Sequence, residues 1–335
     1  MIIGGCFVFE RRIFMIKFGV IGSGWIAEEF VKGAALVEGF VFSAMYSRTF
    51  EKGKEFADKF GGAEVYTDLN DFAKSDIDAV YIASPNSLHY VQSKLMLQNG
   101  KHVLCEKPIT ITPEEFVELN SIANEKNLVY TEAIMMLHLP QRTLIKEKLK
   151  SLGKISTAHF DFSQLSSKYP ALLRGENPNI FNPKMKTGCL RDLGIYCFYP
   201  AVDFFGEPEE IISTAGFLST GADGYGSAIL NYSDKQVTLT YSKIGQDRCG
   251  SQIIGDKGTM KIGSISKLTG VKIIYENGTE EVLVGEIEKH ILMSEEAKDF
   301  YEYMCKKSNG IIRDNEIILS VLNAMNTVIK QSKIN

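Results

Sequence analysis

The most constraining feature of this chain is a short apolar run that feeds straight into a glycine turn. Ile16-Lys17-Phe18-Gly19-Val20-Ile21 reads as a buried strand, and Gly22-Ser23-Gly24-Trp25-Ile26-Ala27 follows without a break. In such a G-x-G-x-x-A sequence the first glycine permits a tight turn and the second lets the backbone approach a pyrophosphate. The alanine keeps helix and strand close. The helix that opens at Trp25 and Ile26 would then present free N–H groups and a partial positive charge to the phosphates. Glycine turns are common, so the weight of this one rests on its context.

That context is an alternation of strand and helix patterns. A helix is predicted from Trp25 to Val37, a strand from Phe40 to Tyr46 and a helix from Glu51 to Phe60. A strand at Asp78–Ala83, a helix at Ser87–Asn99, a strand at His102–Cys105 and a strand at Val129–Thr131 continue the series. Between the last two, Thr112, Pro113 and Glu115 carry the signature of a capped helix start. Alternation at this spacing predicts a Rossmann doubly wound parallel sheet over residues 15–133. From 134 to 335 strands dominate and meet at turn chemistry such as Ser233-Asp234 and Asn277-Gly278, with a helix at about Asp192–Phe205. This predicts an α+β domain with an antiparallel sheet.

The end of the second strand bears on which dinucleotide is held. A carboxylate there suits the ribose hydroxyls of NAD, and an arginine suits the extra phosphate of NADP. This chain has Ser47 and Arg48 there, with Lys52 about a helical turn on, and Glu51 as the competing carboxylate. NADP is therefore expected ahead of NAD. Two more stretches point to reaction. Cys105-Glu106-Lys107-Pro108 lies at the mouth of a parallel strand, where ligands collect in open α/β sheets. In Gly188 to Tyr196, Asp192 and Tyr196 stand four apart and would share a helix face.

With these residues in hand, the chain from about Met15 onward resembles the Gfo/Idh/MocA oxidoreductases, a family named for glucose–fructose oxidoreductase and inositol dehydrogenase. The resemblance lies in the glycine turn, Ser84-Pro85-Asn86-Ser87-Leu88-His89, Glu106-Lys107-Pro108, Thr131-Glu132-Ala133 and Gly188 to Tyr196. Tyr196, where many members carry histidine, resembles the branch of glucose–fructose oxidoreductase and the dimeric dihydrodiol dehydrogenases. The resemblance implies hydride transfer to or from a sugar, polyol or related cyclic alcohol or carbonyl compound. It implies that the α+β domain carries an open, mostly antiparallel sheet for substrate binding and oligomerisation, with a homodimer or homotetramer formed through that sheet. By this analogy Ser84, Pro85, Asn86 and His89 lie along the cofactor, and Glu106 helps hold its loop. Tyr196 is expected as general acid/base, Lys107 as its electrostatic partner and substrate-oxygen donor, and Asp192 as the group that orients the pair. A neighbouring ammonium lowers a tyrosine pKa, so Tyr196 is expected to be drawn towards neutrality. Ile134 to Pro140 is expected to border the substrate, with Lys168, Tyr169 and Arg174 as further candidate contacts.

Composition limits the rest. A formal net charge of -4 argues against nucleic-acid and anionic-membrane partners. The cysteines, Cys6, Cys105, Cys189, Cys197, Cys249 and Cys305, are scattered without metal spacing, and read as small buried thiols in a reducing, cytoplasmic setting. No metal is implied. Residues 1–14 are apolar with Arg11 and Arg12 after the apolar run, an order opposite to a secretory leader. An upstream start codon or an added remnant is expected there. Two other readings stay open: a non-catalytic dinucleotide-sensing regulatory protein, and a nicotinamide-dependent glycosidase. Retention of Lys107, Asp192 and Tyr196 counts against the sensor.

Overall fold

A computed structural model describes residues 14–306 and 310–334; the segment up to residue 13, with Cys6, lies outside them. Six strands, β1 (Ile16–Ile21), β2 (Phe40–Tyr46), β3 (Glu64–Tyr66), β4 (Ala79–Ile82), β5 (His102–Glu106) and β6 (Tyr130–Ala133), form a parallel sheet in the order β3-β2-β1-β4-β5-β6. Strand order reverses between β1 and β4, so a crevice opens beyond their carboxyl ends. Helices α1 (Trp25–Ala34), α2 (Phe50–Asp58), α3 (Leu69–Lys74), α4 (Asn86–Gln98) and α5 (Pro113–Glu125) make the crossovers. The fold is the predicted doubly wound one. β3 and α3 were not foreseen: β3 spans three residues, too few to show alternation. α3 is held by Asp68, whose carboxylate accepts from the Asn70 and Asp71 N–H groups at 2.7 and 3.0 Å. α5 starts behind the expected capping box of Thr112 and Glu115.

The chain continues through α6 (Met135–His138) and α7 (Pro140–Lys148) into an eight-stranded sheet. Its strands are β7 (Ile155–Ser163), β8 (Glu210–Phe217), β9 (Asp223–Asn231), β10 (Gln236–Ser242), β11 (Ser251–Gly255), β12 (Gly258–Ser264), β13 (Thr269–Tyr275) and β14 (Glu280–Val284). The order is β14-β13-β12-β11-β7-β10-β9-β8, and every neighbouring pair is antiparallel except β7 with β10. Alternate residues of β10, namely Val237, Leu239 and Tyr241, are buried while their neighbours are not, the mark of a sheet with one covered face. Helices α8 (Tyr169–Leu173), α9 (Ile195–Phe205), α10 (Lys289–Lys306) and α11 (Gly310–Ser332) complete the chain.

α10 lies late in sequence yet packs into the first domain's core. Leu292, Met293, Ala297 and Phe300 pack with Phe18 and Phe30. A Cβ at Gly33 would meet the Met293 backbone at 2.8 Å, so α1 and α10 approach too closely for any side chain there. Phe30 also stacks on Tyr81 at 3.8 Å. Truncating such a buried aromatic costs about 3–5 kcal/mol, and here it would loosen the strand that carries Tyr81 to the site. Among the described residues no helix is long and apolar enough to cross a membrane. Cys105, Cys189 and Cys197 are buried as expected, whereas Cys249 is exposed and Cys305 half-buried.

Candidate active site

At the turn after β1 the backbone of Gly22 has φ +111°, and a Cβ there would meet the Ala83 carbonyl oxygen at 2.3 Å. Only glycine fits. A Cβ at Gly24 would meet no protein atom within 4 Å, and Gly24 caps α1 without a side-chain hydrogen bond. The first N–H groups of α1 at Trp25 and Ile26 therefore face open space with no competing cap. A groove of about 500 Å³ runs from Gly22 and Ser23 past Ser84 and Pro85 to Ser47, Arg48 and Lys52. Arg48 and Lys52 are exposed at its far end. A helix N-terminus at one end and two cations at the other suit a dinucleotide with a terminal phosphate.

Trp25, Ile26, Asn86 and His89, also predicted to meet the cofactor, are not part of this groove's lining. Trp25 is exposed and covered by Lys289, whose Nζ lies 4.6 Å from the ring centroid. Ile26 packs against the first core. Asn86 donates through Nδ2 to the Lys186 carbonyl at 3.0 Å, tying α4 to the loop before Leu190. His89 departs from expectation. It is buried, and its ring nitrogens lie 2.8 Å from the Ser84 and Pro108 carbonyls. Burial outweighs both carbonyls and lowers its pKa. Its ring joins two loops of the site instead of lining the groove.

Lys107, at the end of β5, reaches across to the second domain. Its Nζ donates to Asp192 Oδ1 at 2.7 Å and to the Asp192 carbonyl at 2.9 Å, and lies 5.0 Å from the centre of the Tyr196 ring. Thus the three predicted catalytic residues meet. They do so from a different local structure than predicted: Leu190–Gly194 forms a wide π turn and α9 begins only at Ile195. Pro200 has no N–H to donate to the Tyr196 carbonyl, which weakens regular helix across this stretch. Glu106 accepts the Tyr81 hydroxyl at 2.6 Å and the Lys107 N–H at 3.2 Å, which anchors the loop.

The electrostatics correct one expectation. Burial raises the Tyr196 pKa; Lys107 opposes this, but Glu106, Asp192 and Glu296 add to the rise, and the phenol ends above its ordinary range. Lys107 alone does not draw it towards neutrality. Burial also opposes the charge of Lys107, yet Asp192, Tyr196 and Glu106 hold its ammonium well above the usual lysine value. For Asp192, burial is overcome by Lys107 and Lys243, and the carboxyl is held well below the usual range. The Asp192 side chain keeps 32% of its surface exposed, so water moderates these effects.

Sequence reasoning missed Lys243 and Asp223. Lys243 follows β10, is buried, and places Nζ 2.7 Å from Asp192 Oδ2. Asp223, at the start of β9, accepts the Leu190 N–H at 2.7 Å and so caps the π turn. A Cβ at Gly188 would strike Asp223 Oδ1 at 2.0 Å. Each is a lone charge at a strand end, a pattern indistinguishable in sequence from a solvated surface residue. A separate wide cleft of about 970 Å³ is bounded by Trp25, Lys168 and Arg174 among others, and Lys107, Asp192 and Tyr196 are not part of its lining. Arg174 is paired with Glu176 at 2.8 Å. Tyr169 is not part of that lining. The run from Ile134 to Leu139 is packed into the two cores instead.

Comparison with known proteins adds two family matches. The model described as "Oxidoreductase family, NAD-binding Rossmann fold" matches residues 16–134, and that of the Gfo/Idh/MocA C-terminal domain matches residues 142–261. The chain is 40% identical over 268 residues to scyllo-inositol 2-dehydrogenase (NADP(+)) IolU of Bacillus subtilis (strain 168), covering 80% of this chain and 82% of that one. It is 30% identical over 256 residues to trans-1,2-dihydrobenzene-1,2-diol dehydrogenase of Xenopus tropicalis, covering 74% and 75%. Among solved structures, KijD10, a 3-ketoreductase from Actinomadura kijaniata in complex with NADP and TDP-benzene, superposes with a TM-score of 0.82 over 95% of this chain and 98% of that one. At 22% identity that likeness concerns the fold.

Proposed function

The chain belongs to the Gfo/Idh/MocA oxidoreductase family, and from that premise we propose that it is an NADP(H)-dependent enzyme acting on a sugar, polyol or related cyclic alcohol or carbonyl compound. As an NAD(P)-dependent dehydrogenase or reductase it works on CH–OH groups or the corresponding carbonyls. The observation that carries the finer reading is the meeting of Lys107, Asp192 and Tyr196 at the carboxyl edge of the parallel sheet, beside a groove ending in Arg48 and Lys52.

A bound nicotinamide supplies or accepts the hydride at the substrate carbon. In the reducing direction the carbonyl oxygen gains negative charge as hydride arrives, and a proton must reach it. Tyr196, with its pKa above the ordinary range, is the protonated donor at neutral pH. Lys107 stabilises the developing charge while Asp192 holds the ammonium in place. In the oxidising direction the same proton returns to the phenolate. Gly22, Ser23, Gly24 and the start of α1 hold the pyrophosphate in this reading, and Ser47, Arg48 and Lys52 the terminal phosphate. The substrate class draws support from relatives named for scyllo-inositol, D-xylose and a dihydrobenzene diol. The outer face of the second sheet exposes Ile212, Tyr225 and Val282, which suits pairing of two copies there. Free thiols and an acidic balance suit the cytoplasm.

The test is a turnover screen of inositols, aldoses and cyclic diols with NADP+ and NAD+, with Tyr196→Phe as control. Turnover with NADP+ that is lost in the variant is the expected result. Tight cofactor binding without turnover of any substrate would favour the sensor instead.

A further inference from the structure

The reading above leaves one group at the site without a task. Lys243 is 1% exposed, belongs to the second domain, and touches Asp192 from the side opposite Lys107. The two carboxylate oxygens are divided: Oδ1 takes Lys107 at 2.7 Å and Oδ2 takes Lys243 at 2.7 Å. A lysine is seldom buried so fully, because desolvating an ammonium costs more than a single ion pair returns. As a contribution to stability alone, an apolar residue of similar volume would serve as well or better.

We propose that Lys243 is a positioning residue for the proton-transfer step, fixing the Asp192 carboxylate so that Lys107 stays directed at the substrate oxygen beside Tyr196. The inference rests on the catalytic reading of Lys107 and Tyr196 given above. With Oδ2 engaged, the carboxylate cannot rotate to embrace Lys107 with both oxygens and draw its ammonium away. Charge acts in the same sense. Two ammonium groups around one carboxylate leave a net positive unit next to the place where an oxygen becomes anionic. Without Lys243 the pair is neutral. The acids facing this cluster are Glu106 from β5, Glu296 from α10 and Asp223 from β9. Lys289 from α10 faces Glu106 and Glu296, and Arg191 faces Asp223, so the acids have cations of their own and Lys243 is the second ammonium in contact with Asp192 itself. Its second neighbour is the Phe181 ring, 6.0 Å away, which holds the chain in place without accepting its proton.

The experiment compares wild type, Lys243→Met, Lys243→Arg and Lys107→Met, using scyllo-inositol with NADP+, or whichever polyol turns over best. Lys243→Met is expected to lower kcat by about a hundredfold, the scale of a misdirected catalytic group, with KM, NADPH affinity and melting temperature near wild type. Lys243→Arg should recover part of the loss. In cofactor-free protein the alkaline ionisation of Tyr196, read as tyrosinate absorbance against Tyr196→Phe, should move to higher pH in Lys243→Met. Should the methionine variant not fold, Lys243→Gln keeps a donor towards Oδ2 without the charge and gives the same two readouts. Unchanged kcat and an unmoved Tyr196 titration would overturn the proposal, as would a loss of kcat that only tracks a lower melting temperature. If Lys107→Met itself turns over normally, the catalytic reading fails, and that result is distinct from a silent Lys243.

Discussion

The groove at the glycine turn and the lysine–aspartate–lysine cluster are built on opposite electrical principles. In the groove, Arg48 and Lys52 stand in solvent and carry no protein counter-charge at hydrogen-bond distance among the described contacts. Both are exposed, so solvent and salt screen their charge. In the cluster, Lys107, Asp192 and Lys243 define one another within 2.7 Å, drawn from β5, the π turn and the end of β10. The groove belongs to one domain, whereas the cluster exists only when both are docked. Groups that act alone give additive losses when removed, and groups that act as a unit do not.

The strongest way to break this contrast is a double variant. Lys107→Met and Tyr196→Phe should each lower kcat/KM by about 10³, and the double variant by little more than either, because general acid–base groups contribute about 10²–10⁴ as a set. NADPH affinity should hold in all three, measured by fluorescence titration. Multiplicative losses would show two separate contributors. The raised Tyr196 pKa adds a sign. Reduction needs the phenol and should persist across neutral pH, falling only as pH climbs towards that raised value, while oxidation should rise with pH. A rate of reduction that halves between pH 6 and 8 in step with kcat would count against Tyr196 as the donor.

The groove is not tolerant throughout, and Gly22→Ala marks where tolerance ends. The variant places a methyl group against the Ala83 carbonyl, at a backbone φ of +111° that alanine adopts only under strain. A loss of roughly 3 kcal/mol is expected, seen as a fall in melting temperature of roughly 5–10 °C. Gly24→Ala has no protein atom to strike, so it should melt like the wild type and lose cofactor affinity instead. Equal melting temperatures for the two variants would show that the turn relaxes.

The difference between these glycines also marks how far sequence reading reached. The strand, the turn and α1 were legible because their signals are local: a period of apolar residues, then glycines at fixed offsets. Lys107, Asp192 and Tyr196 were legible through family resemblance. Lys243 and Asp223 were not, because their roles depend on which strand end lies behind the π turn, a tertiary fact. The same limit explains His89, read as lining the cofactor and found stapling two loops, and Tyr196, whose pKa is set by Glu106 and Glu296 as well as by Lys107. α10 lies far along the chain from β1 and α1, and nothing local in its sequence shows that it packs into the first core.

Arg48→Ala sharpens the other side of the contrast. If Arg48 holds the terminal phosphate, the variant should raise the Kd for NADPH by about ten- to thirtyfold, about 1.4–2 kcal/mol, and leave that for NADH unchanged. Adding Lys52→Ala should weaken NADPH by a further, roughly independent factor, as expected for exposed groups. Equal losses for both cofactors would mean that Arg48 supports the fold of the loop and does not choose between dinucleotides.

The smallest expected effect lies in the interior, where buried titratable groups make stability depend on pH. His138 is buried; burial lowers its pKa, but Asp299, Glu296 and Asp314 more than compensate and raise it from 6.5 to about 9. Its contribution to stability is complete below pH 6.5 and is lost as pH rises through about 9. Glu296 is buried with neither carboxylate oxygen hydrogen-bonded among the described contacts, and burial raises its pKa from 4.5 to about 8. The unfolded chain gives up this proton near pH 4.5 while the folded chain keeps it, so the group loses stability progressively up to about pH 8. The Glu132 carboxyl, raised to about 7 by burial, acts in the same sense. All three slopes have one sign: the protein should melt a few degrees lower at pH 9 than at pH 6.5, on the order of 1–2 kcal/mol. Glu296→Gln mimics the protonated acid and should flatten the slope with little change at pH 6.5. Arg48→Ala, remote from this interior cluster, should keep the wild-type slope. A melting temperature that rises from pH 6.5 to 9 would mean that His138 and Glu296 exchange their charges otherwise than the buried geometry requires.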